Sequence, residues 1–321
     1  MYTKSKIGLL LNSSGQCFLE DVDKCDLLNS YFASSCTVDN QILPPFEIVG
    51  SFQSALDSVD FNVSSTYAHL TKLKKSLAAG PDLLPPIFFS RLSLCLANPV
   101  NTLNSLLFST GELPSVWKTA FITPVYKKGK TNDVANYRPI ALTCVLCKIF
   151  EQTLKEALSN HLLANNLLSS RHHGFLAGHS TCTNLLDALN NWTNNMKDCN
   201  LTRVVYVDFS KAFDSICHSK LLLKLESYGV SGRFLGIINH FLTGRSQVVK
   251  INNSVSEVCN ISSGVPQGSV LGPILFIIYM NDLMSVLSPN VTITFFADDV
   301  KLFSVIKSSN DLILCSMTSG R

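Results

Sequence analysis

Two adjacent carboxylates, Asp298 and Asp299, lie in Phe295-Phe-Ala-Asp-Asp-Val-Lys-Leu-Phe303, between two strongly apolar arms. Such arms read as the strands of a hairpin with the carboxylates at its tip. A third carboxylate, Asp208, closes the β-branched run Arg203-Val-Val-Tyr-Val-Asp208, which reads as a buried strand. If the strands are neighbours, Asp208 and Asp298 meet at one end of a sheet. Adjacent side chains diverge in extended backbone, so one aspartate of the pair projects forward while the other supports it from the side. Clustered aspartates repel and hold protons unless something neutralises them. Magnesium does so, taking oxygen ligands and dehydrating reluctantly. Two such ions about 3.5–4 Å apart activate an attacking oxygen and stabilise a leaving one in phosphoryl transfer. The Asp-Asp pair by itself reads first as a solvated turn; the strand-terminal Asp208 gives it chemical meaning.

A basic stretch suits the same chemistry. Lys118, Lys127, Lys128, Lys130, Arg138 and Lys148 are set against one acid, Asp133, in the interval they bound. This is a candidate phosphate-facing surface, although charge alone reads as readily as a solvated face. The whole chain names no partner, since 26 basic and 23 acidic side chains leave a net charge of +3. Competing chemistries fail on spacing. Gly129-Lys130-Thr131 is similar to the end of a phosphate-binding loop, but the required earlier glycine is Pro124. There is no Gly-x-Ser-x-Gly nucleophile elbow. Cys144-x-x-Cys147 lies in an apolar run and reads as buried thiols; His179-x-x-Cys182 completes a zinc set only on paper.

The elements that must hold these groups mix helices and strands without regular βαβ alternation, which predicts an α+β fold. Residues 1–62 are poorly patterned, with helical spacing only over 23–34 and a Pro/Ser/Asp-rich, linker-like stretch over 37–61. Periodicity predicts helices over 64–76, 86–110 (one or two), 147–163, 181–198, 211–228, 232–242 and 267–286. Strands are expected over 121–126, with Pro124 suggesting an edge, and in the hairpins 246–252/255–261 and 291–296/300–305; 137–142 is extended. At 321 residues, 46% hydrophobic and 15% charged, the chain is long enough for two compact units and is no disordered tail, collagen-like rod or charged coiled coil.

Asp208-Phe-Ser-Lys-Ala-Phe213-Asp214, taken with Phe296-Ala-Asp298-Asp299, resembles the two metal-binding motifs of reverse transcriptases. Ser263-Gly-Val-Pro-Gln-Gly-Ser-Val-Leu-Gly-Pro273 resembles that family's glycine-rich template/primer and nucleotide motif, and Asn136-Tyr-Arg-Pro-Ile-Ala-Leu142 its fingers motif. The stretch from Trp117 to Gly129 and Ala79-Gly-Pro-Asp82 are similar to the region upstream of it in non-LTR retrotransposons. The motifs keep the family's order from Ser76 to Phe303, and the resemblance is to LINE-type elements of the jockey/CR1 kind rather than to retroviral enzymes.

The resemblance implies a right-hand polymerase whose palm is an antiparallel sheet packed on helices. It divides the chain into a linker or extension over 1–62, a fingers region over 63–200, a palm over 201–307 and a divergent tail over 308–321, with the reverse transcriptase domain itself spanning about 120–321. The implied reaction is RNA-templated DNA synthesis with two Mg²⁺ ions (Mn²⁺ being an alternative), and the implied partners are an RNA template, a DNA primer and dNTPs. The element's endonuclease normally belongs to the same polyprotein. The catalytic set would be Asp208, Asp298 and Asp299. Asp208, Asp298 and the backbone carbonyl of Phe209 would hold the metals, with Asp299 the secondary carboxylate. Phe213 falls where the family keeps an aromatic that crowds the sugar 2′-hydroxyl. Arg138 and one of Lys127, Lys128 or Lys130 would grip the triphosphate. Gln267 and Gly268 would shape the nucleotide pocket. Gly174, Phe175, Pro266 and Ser269 would face template and primer, with His172 and His173 on the template-side surface in place of the family's glutamine.

The family's lysine-bearing palm motif, primer-grip hairpin and helical thumb find no match, so the thumb is expected to be missing. A catalytically inactive remnant that at most binds nucleic acid stays open as the alternative. No signal-peptide core is present, and the longest apolar stretch, Val270 to Met280, is interrupted by Gly272 and Pro273 and falls short of the about 20 residues a membrane span needs. With the scattered cysteines this predicts an intracellular protein, cytoplasmic or nuclear.

Overall fold

The computed structural model describes residues 7–12, 14–50, 52, 54–197 and 201–306. The expected tail over 308–321 lies outside the described residues. Two short antiparallel strands, β1 (Leu10–Leu11) and β2 (Cys17–Phe18), lead into α1 (Asp21–Ala33). Helix α2 (Val63–Thr71) opens on Asn62, whose side chain accepts the Ser64 amide as an N-cap. A pair follows, α3 (Pro86–Arg91) and α4 (Ser93–Thr110), and α4 stops at Gly111, which takes the left-handed conformation that glycine allows. Next come α5 (Ser115–Lys118), β3 (Thr119–Tyr126), β4 (Tyr137–Leu142), α6 (Val145–Ala164) and α7 (Thr181–Lys197). The second half contains β5 (Leu201–Asp208), α8 (His218–Ser227), α9 (Gly232–Leu242), β6 (Arg245–Ile251), β7 (Ser254–Val255) and β8 (Cys259–Ile261). It closes with α10 (Gly272–Met280), β9 (Val291–Phe296) and β10 (Asp299–Ile306). This mixture is the expected α+β architecture.

Two sheets frame the site. One runs β4-β3-β6-β7 with β8 also on β6; the other runs β5-β10-β9 and is antiparallel throughout. The main core is helical: Phe150, Leu154, Leu158 and Leu162 of α6 meet Leu221 and Leu225 of α8, Phe234 and Phe241 of α9, and Ile274 to Ile278 of α10. Each such side chain contributes about 1.5–3 kcal/mol when fully buried. A smaller cluster, Ile293, Phe295 and Val300, lies under the β5-β10-β9 sheet against Met280 and Leu283.

Several expectations change. β3 is not an edge strand: Thr119–Ile122 pair in parallel with Ser246–Val249 while β4 pairs on the other side. Pro124 is tolerated because it lies past the β6 pairing, where its missing N–H breaks no ladder bond. β5 is an edge strand rather than a buried one, with Leu201, Val205 and Tyr206 exposed. The helix expected over 211–228 begins only at His218, after a turn in which Lys211 has a φ of 53°. The helix expected over 267–286 starts at Gly272 and gives way at Asn281 to a 3₁₀ turn. The N-terminal extension is no tether: in the stretch expected to be a linker, Val49, Leu56, Val59 and Phe61 pack on the main core, and the Val49 and Leu56 amides donate to the Ser227 and Gly229 carbonyls. Leu28 and Phe32 of α1 pack on Ala120, Ile122 and Val249 of the sheet. Asn29 then locks the helix in place: Nδ2 donates to Ser256 Oγ and to the Glu257 carbonyl, and Oδ1 accepts from Gln247 Nε2.

Candidate active site

The strands β9 and β10 are joined by a two-residue turn, Ala297–Asp298, with Phe296 registered on Asp299. Ala297 takes a φ of 56°, a left-handed conformation that costs a non-glycine residue about 1 kcal/mol. On its other side β10 pairs with β5 so that Asp299 stands directly opposite Asp208. The three carboxylates thus gather at one end of the sheet, but the partner of Asp208 is Asp299, and Asp298 sits beside them in the turn. Cross-strand partners share a face with Cβ atoms about 4.5–5.5 Å apart, and like charges so placed repel. Asp208 and Asp299 are exposed and Asp298 is half-buried. Phe209, next to Asp208, tucks its ring into the cluster beneath the sheet.

This donor set fits magnesium: hard oxygens only, in opposed exposed carboxylates. Among the described residues no group of three His, Cys, Asp or Glu side chains is placed to hold a metal ion by itself. Mg²⁺ at phosphate sites needs none, taking one or two carboxylates and filling the rest of its shell from substrate and water.

The turn is held from behind by 171–174. The Phe295 amide donates to the Arg171 carbonyl (3.0 Å), the His173 amide donates to the Phe295 carbonyl (2.9 Å), and the His172 ring stacks on Phe295 with centroids 4.4 Å apart. His172 and His173 are therefore buried, not template-side surface. Burial lowers the His172 imidazole to about 4 and also pulls His173 down, so both are kept neutral against the sheet. Gly174, expected on the template side, also lies inside. It is buried against the backbone of Phe296 and Ala297, where a side chain does not fit. Its neighbour Phe175 is exposed and lies edge-on to Phe213, with centroids 5.9 Å apart.

Phe213 is clamped on its other face by Phe276 of α10, at 4.5 Å between centroids and 8° between planes. The glycine-rich loop Ser263–Leu271 closes over it. Val265 donates its amide to the Phe213 carbonyl, and Gly264 packs so closely on Asp214 that a β-carbon there would come within 2.7 Å of the Asp214 backbone. Gln267 accepts the Ala141 amide on its backbone carbonyl (2.7 Å), and Nε2 donates to both carboxylate oxygens of Asp214 (3.0 and 3.1 Å). Burial pushes the Asp214 carboxyl up, while the Gln267 hydrogen bond and Lys211 pull it down. Gly268 is exposed and rests on the Ala141 carbonyl. Pro266 is half-buried and accepts the Ser269 amide. Ser269 faces inward rather than toward a template: it is buried and its hydroxyl accepts the Gly272 amide at the start of α10.

On the first sheet, Lys127, Lys128 and Lys130 line the loop after β3, and Arg138 projects from β4, all exposed. Asn136 braces this loop by donating to the Lys130 carbonyl. The basic stretch is not one face, however. Lys118 turns away to His240, and burial lowers its amine. Cys144 and Cys147 are buried free thiols pushed up by burial, Cys144 to about 11.

Sequence reasoning missed Glu151. This wholly buried carboxylate accepts the Val270 amide (2.7 Å) and the Leu271 amide (3.0 Å), pinning the loop at the start of α10. Its signal is an acid within the apolar run of α6, beside Ile149, Phe150 and Leu154.

A carboxylate-tipped hairpin paired with an aspartate-ended strand, a glycine-rich loop packed on Phe213 and Asp214, and a basic hairpin on the second sheet put the chain in the class of nucleic-acid polymerases. The family model for reverse transcriptase (RNA-dependent DNA polymerase) matches residues 125–318, more than half of the chain, and the chain belongs to that family. It is 31% identical over 192 residues to a probable RNA-directed DNA polymerase from transposon X-element of Drosophila melanogaster, covering 58% of this chain and 21% of that protein. It is 29% identical over 280 residues to the RNA-directed DNA polymerase from mobile element jockey of the same species, covering 84% of this chain and 30% of that protein. A jockey polymerase of Drosophila funebris is 30% identical over 261 residues, 79% of this chain and 28% of its own length. The expected kinship with non-LTR elements of the jockey kind therefore stands. The chain spans less than a third of these relatives' length. No helix among the described residues is long and apolar enough to cross a membrane.

Proposed function

We propose that this chain carries out the fingers and palm part of RNA-templated DNA synthesis. The primer 3′-oxygen bonds to the α-phosphorus of a dNTP, the α–β phosphoanhydride bond breaks, the 3′-hydroxyl proton is lost and pyrophosphate leaves. The observation that carries this reading is Asp208 standing opposite Asp299, with Asp298 in the adjoining turn, at an exposed sheet end. Asp208, Asp298 and the Phe209 carbonyl would hold two magnesium ions, with manganese an acceptable substitute, and Asp299 adds negative charge from the neighbouring strand. When bound, the ions supply Lewis-acid activation of the attacking oxygen and neutralise charge on the triphosphate. Arg138 offers the planar grip that phosphate oxygens accept, and Lys127 and Lys128 act as point charges. Phe213, clamped by Phe276, crowds the sugar and selects dNTP over rNTP. Gln267 and Gly268 border the nucleotide, and Phe175 and Pro266 lie on the template and primer side.

The second reading is a fragment that binds nucleic acid without turnover. What favours it is the edge strand β5, which ends in Asp208 and leaves Leu201, Val205 and Tyr206 exposed along its length. One experiment separates the two. The purified chain is given a labelled DNA primer on an RNA template, and both hybrid retention and primer extension are followed with dNTPs and Mg²⁺. Extension that disappears in Asp298→Ala supports the polymerase. Retention without extension, unchanged by Asp298→Ala, supports the fragment.

A further inference from the structure

We propose that Asp214 is a positioning residue that fixes which end of the Gln267 carboxamide meets the nucleotide, and so directs that contact to the nucleoside rather than to the triphosphate. The inference rests on the proposed reading that Gln267 borders the nucleotide.

An ionised carboxylate only accepts hydrogen bonds. The two oxygens of Asp214 at 3.0 and 3.1 Å therefore require the NH₂ end of Gln267 to face them. The other end, Oε1, is turned away, and among the described residues no donor satisfies it. An outward carbonyl oxygen can accept from a sugar hydroxyl or a base amino group. It offers nothing to phosphate oxygens, which are themselves acceptors. The opposite amide orientation would present donors and suit a phosphate instead, so Asp214 decides between two chemistries.

The backbone on both sides is fixed, which leaves the pair little room to rearrange. The Gln267 carbonyl is tied to the Ala141 amide, the Ser263 hydroxyl donates to the Asp214 carbonyl (2.7 Å), and Gly264 packs against the Asp214 backbone. Asp214 also follows Phe213 directly, and Phe213 is stacked on Phe276, so the residue proposed to crowd the sugar and the residue that orients Gln267 move as one piece. A preorganised acceptor of this kind loses little entropy when a ligand arrives.

The test uses the full chain and two probes, a dNTP and inorganic tripolyphosphate, each titrated with Mg²⁺, with thermal unfolding as the folding control. Asp214→Asn keeps volume but lets the Gln267 amide adopt either orientation. The expected result is a loss of dNTP affinity of about three- to tenfold, the scale of one hydrogen bond, with tripolyphosphate affinity unchanged. The reversed pair, Asp214→Asn with Gln267→Glu, again sets a donor against a carboxylate and leaves an acceptor oxygen turned outward. It is expected to bind dNTP better than Asp214→Asn alone and serves as the comparison if the single variant folds poorly. Equal dNTP affinity in wild type and Asp214→Asn overturns the inference, as do a parallel loss for both probes and a reversed pair with no recovery. A wild-type chain that binds no dNTP contradicts the polymerase reading, and the inference fails with it.

Discussion

Gly174 packs on the Ala297 backbone so tightly that a β-carbon at Gly174 would overlap the Ala297 amide nitrogen. Ala297 is the strained residue of the turn that carries Asp298. A loop far away in sequence therefore sets the height of the carboxylate-bearing tip.

Gly174→Ala should push that tip outward. The expected outcome is a folded protein, destabilised by about 1–3 kcal/mol as overpacked sites are, whose primer extension falls at least tenfold. Circular dichroism melting and extension rate check it; full activity in the variant would show that the tip tolerates displacement.

Phe213 lies between an exposed ring, Phe175, and a buried one, Phe276. Phe213→Val removes the bulk proposed to crowd the sugar and part of the stack. Ribonucleotide incorporation should rise relative to deoxynucleotide incorporation by an order of magnitude or more, with a melting loss of about 1–3 kcal/mol. Competition between rNTP and dNTP in single-nucleotide extension measures the ratio, and an unchanged ratio removes Phe213 from sugar selection.

His172 gives the fold a pH dependence with a definite sign. Burial lowers its folded value to about 4 from an ordinary 6.5, so between these values the unfolded chain binds the extra proton. Its contribution is present above about pH 6.5 and is lost as pH falls toward 4. At about 1.4 kcal/mol per pKa unit this amounts to no more than about 3.5 kcal/mol. Unfolding midpoints measured from pH 7 to pH 4 should fall more steeply in the wild type than in His172→Phe, which has no proton to take up.

Glu151 accepts two loop amides at the head of α10 and lies near the buried Arg245 guanidinium. Glu151→Ala strands those donors and leaves a buried cation without its counter-charge, a loss of about 3–5 kcal/mol. Glu151→Gln, which keeps an acceptor oxygen, should lose less. Chemical denaturation of the two variants makes the comparison.

Much of the site was legible because its signals are local. Apolar arms around Asp298-Asp299 announce a hairpin, and the β-branched run ending in Asp208 announces a strand; that the two are neighbours was only a condition, which the β5–β10 pairing meets. What stayed hidden depends on pairings between distant segments. The burial of His172, His173 and Gly174 comes from a parallel bridge to Phe295, more than a hundred residues on, and no local pattern marks it. Asp299 rather than Asp298 opposes Asp208 because of the register in which β10 pairs with the distant β5, a detail that propensity does not encode. The same holds for α1, whose docking rests on Asn29 meeting Gln247 and Ser256 across the chain. Ser269 looked like a template contact in a glycine-rich motif, yet its spacing to Gly272 is that of a helix cap.

The central claim is that Asp208, Asp298 and Asp299 form the catalytic end of an RNA-templated DNA polymerase. Single-turnover primer extension on an RNA template, with dNTPs and Mg²⁺, comparing wild type with Asp208→Asn, tests it most directly. Asparagine keeps the shape of Asp208 and removes its charge. The account predicts template-directed extension by the wild type, abolished in Asp208→Asn while hybrid binding and the melting transition are kept. Extension that survives Asp208→Asn at the wild-type rate would contradict it.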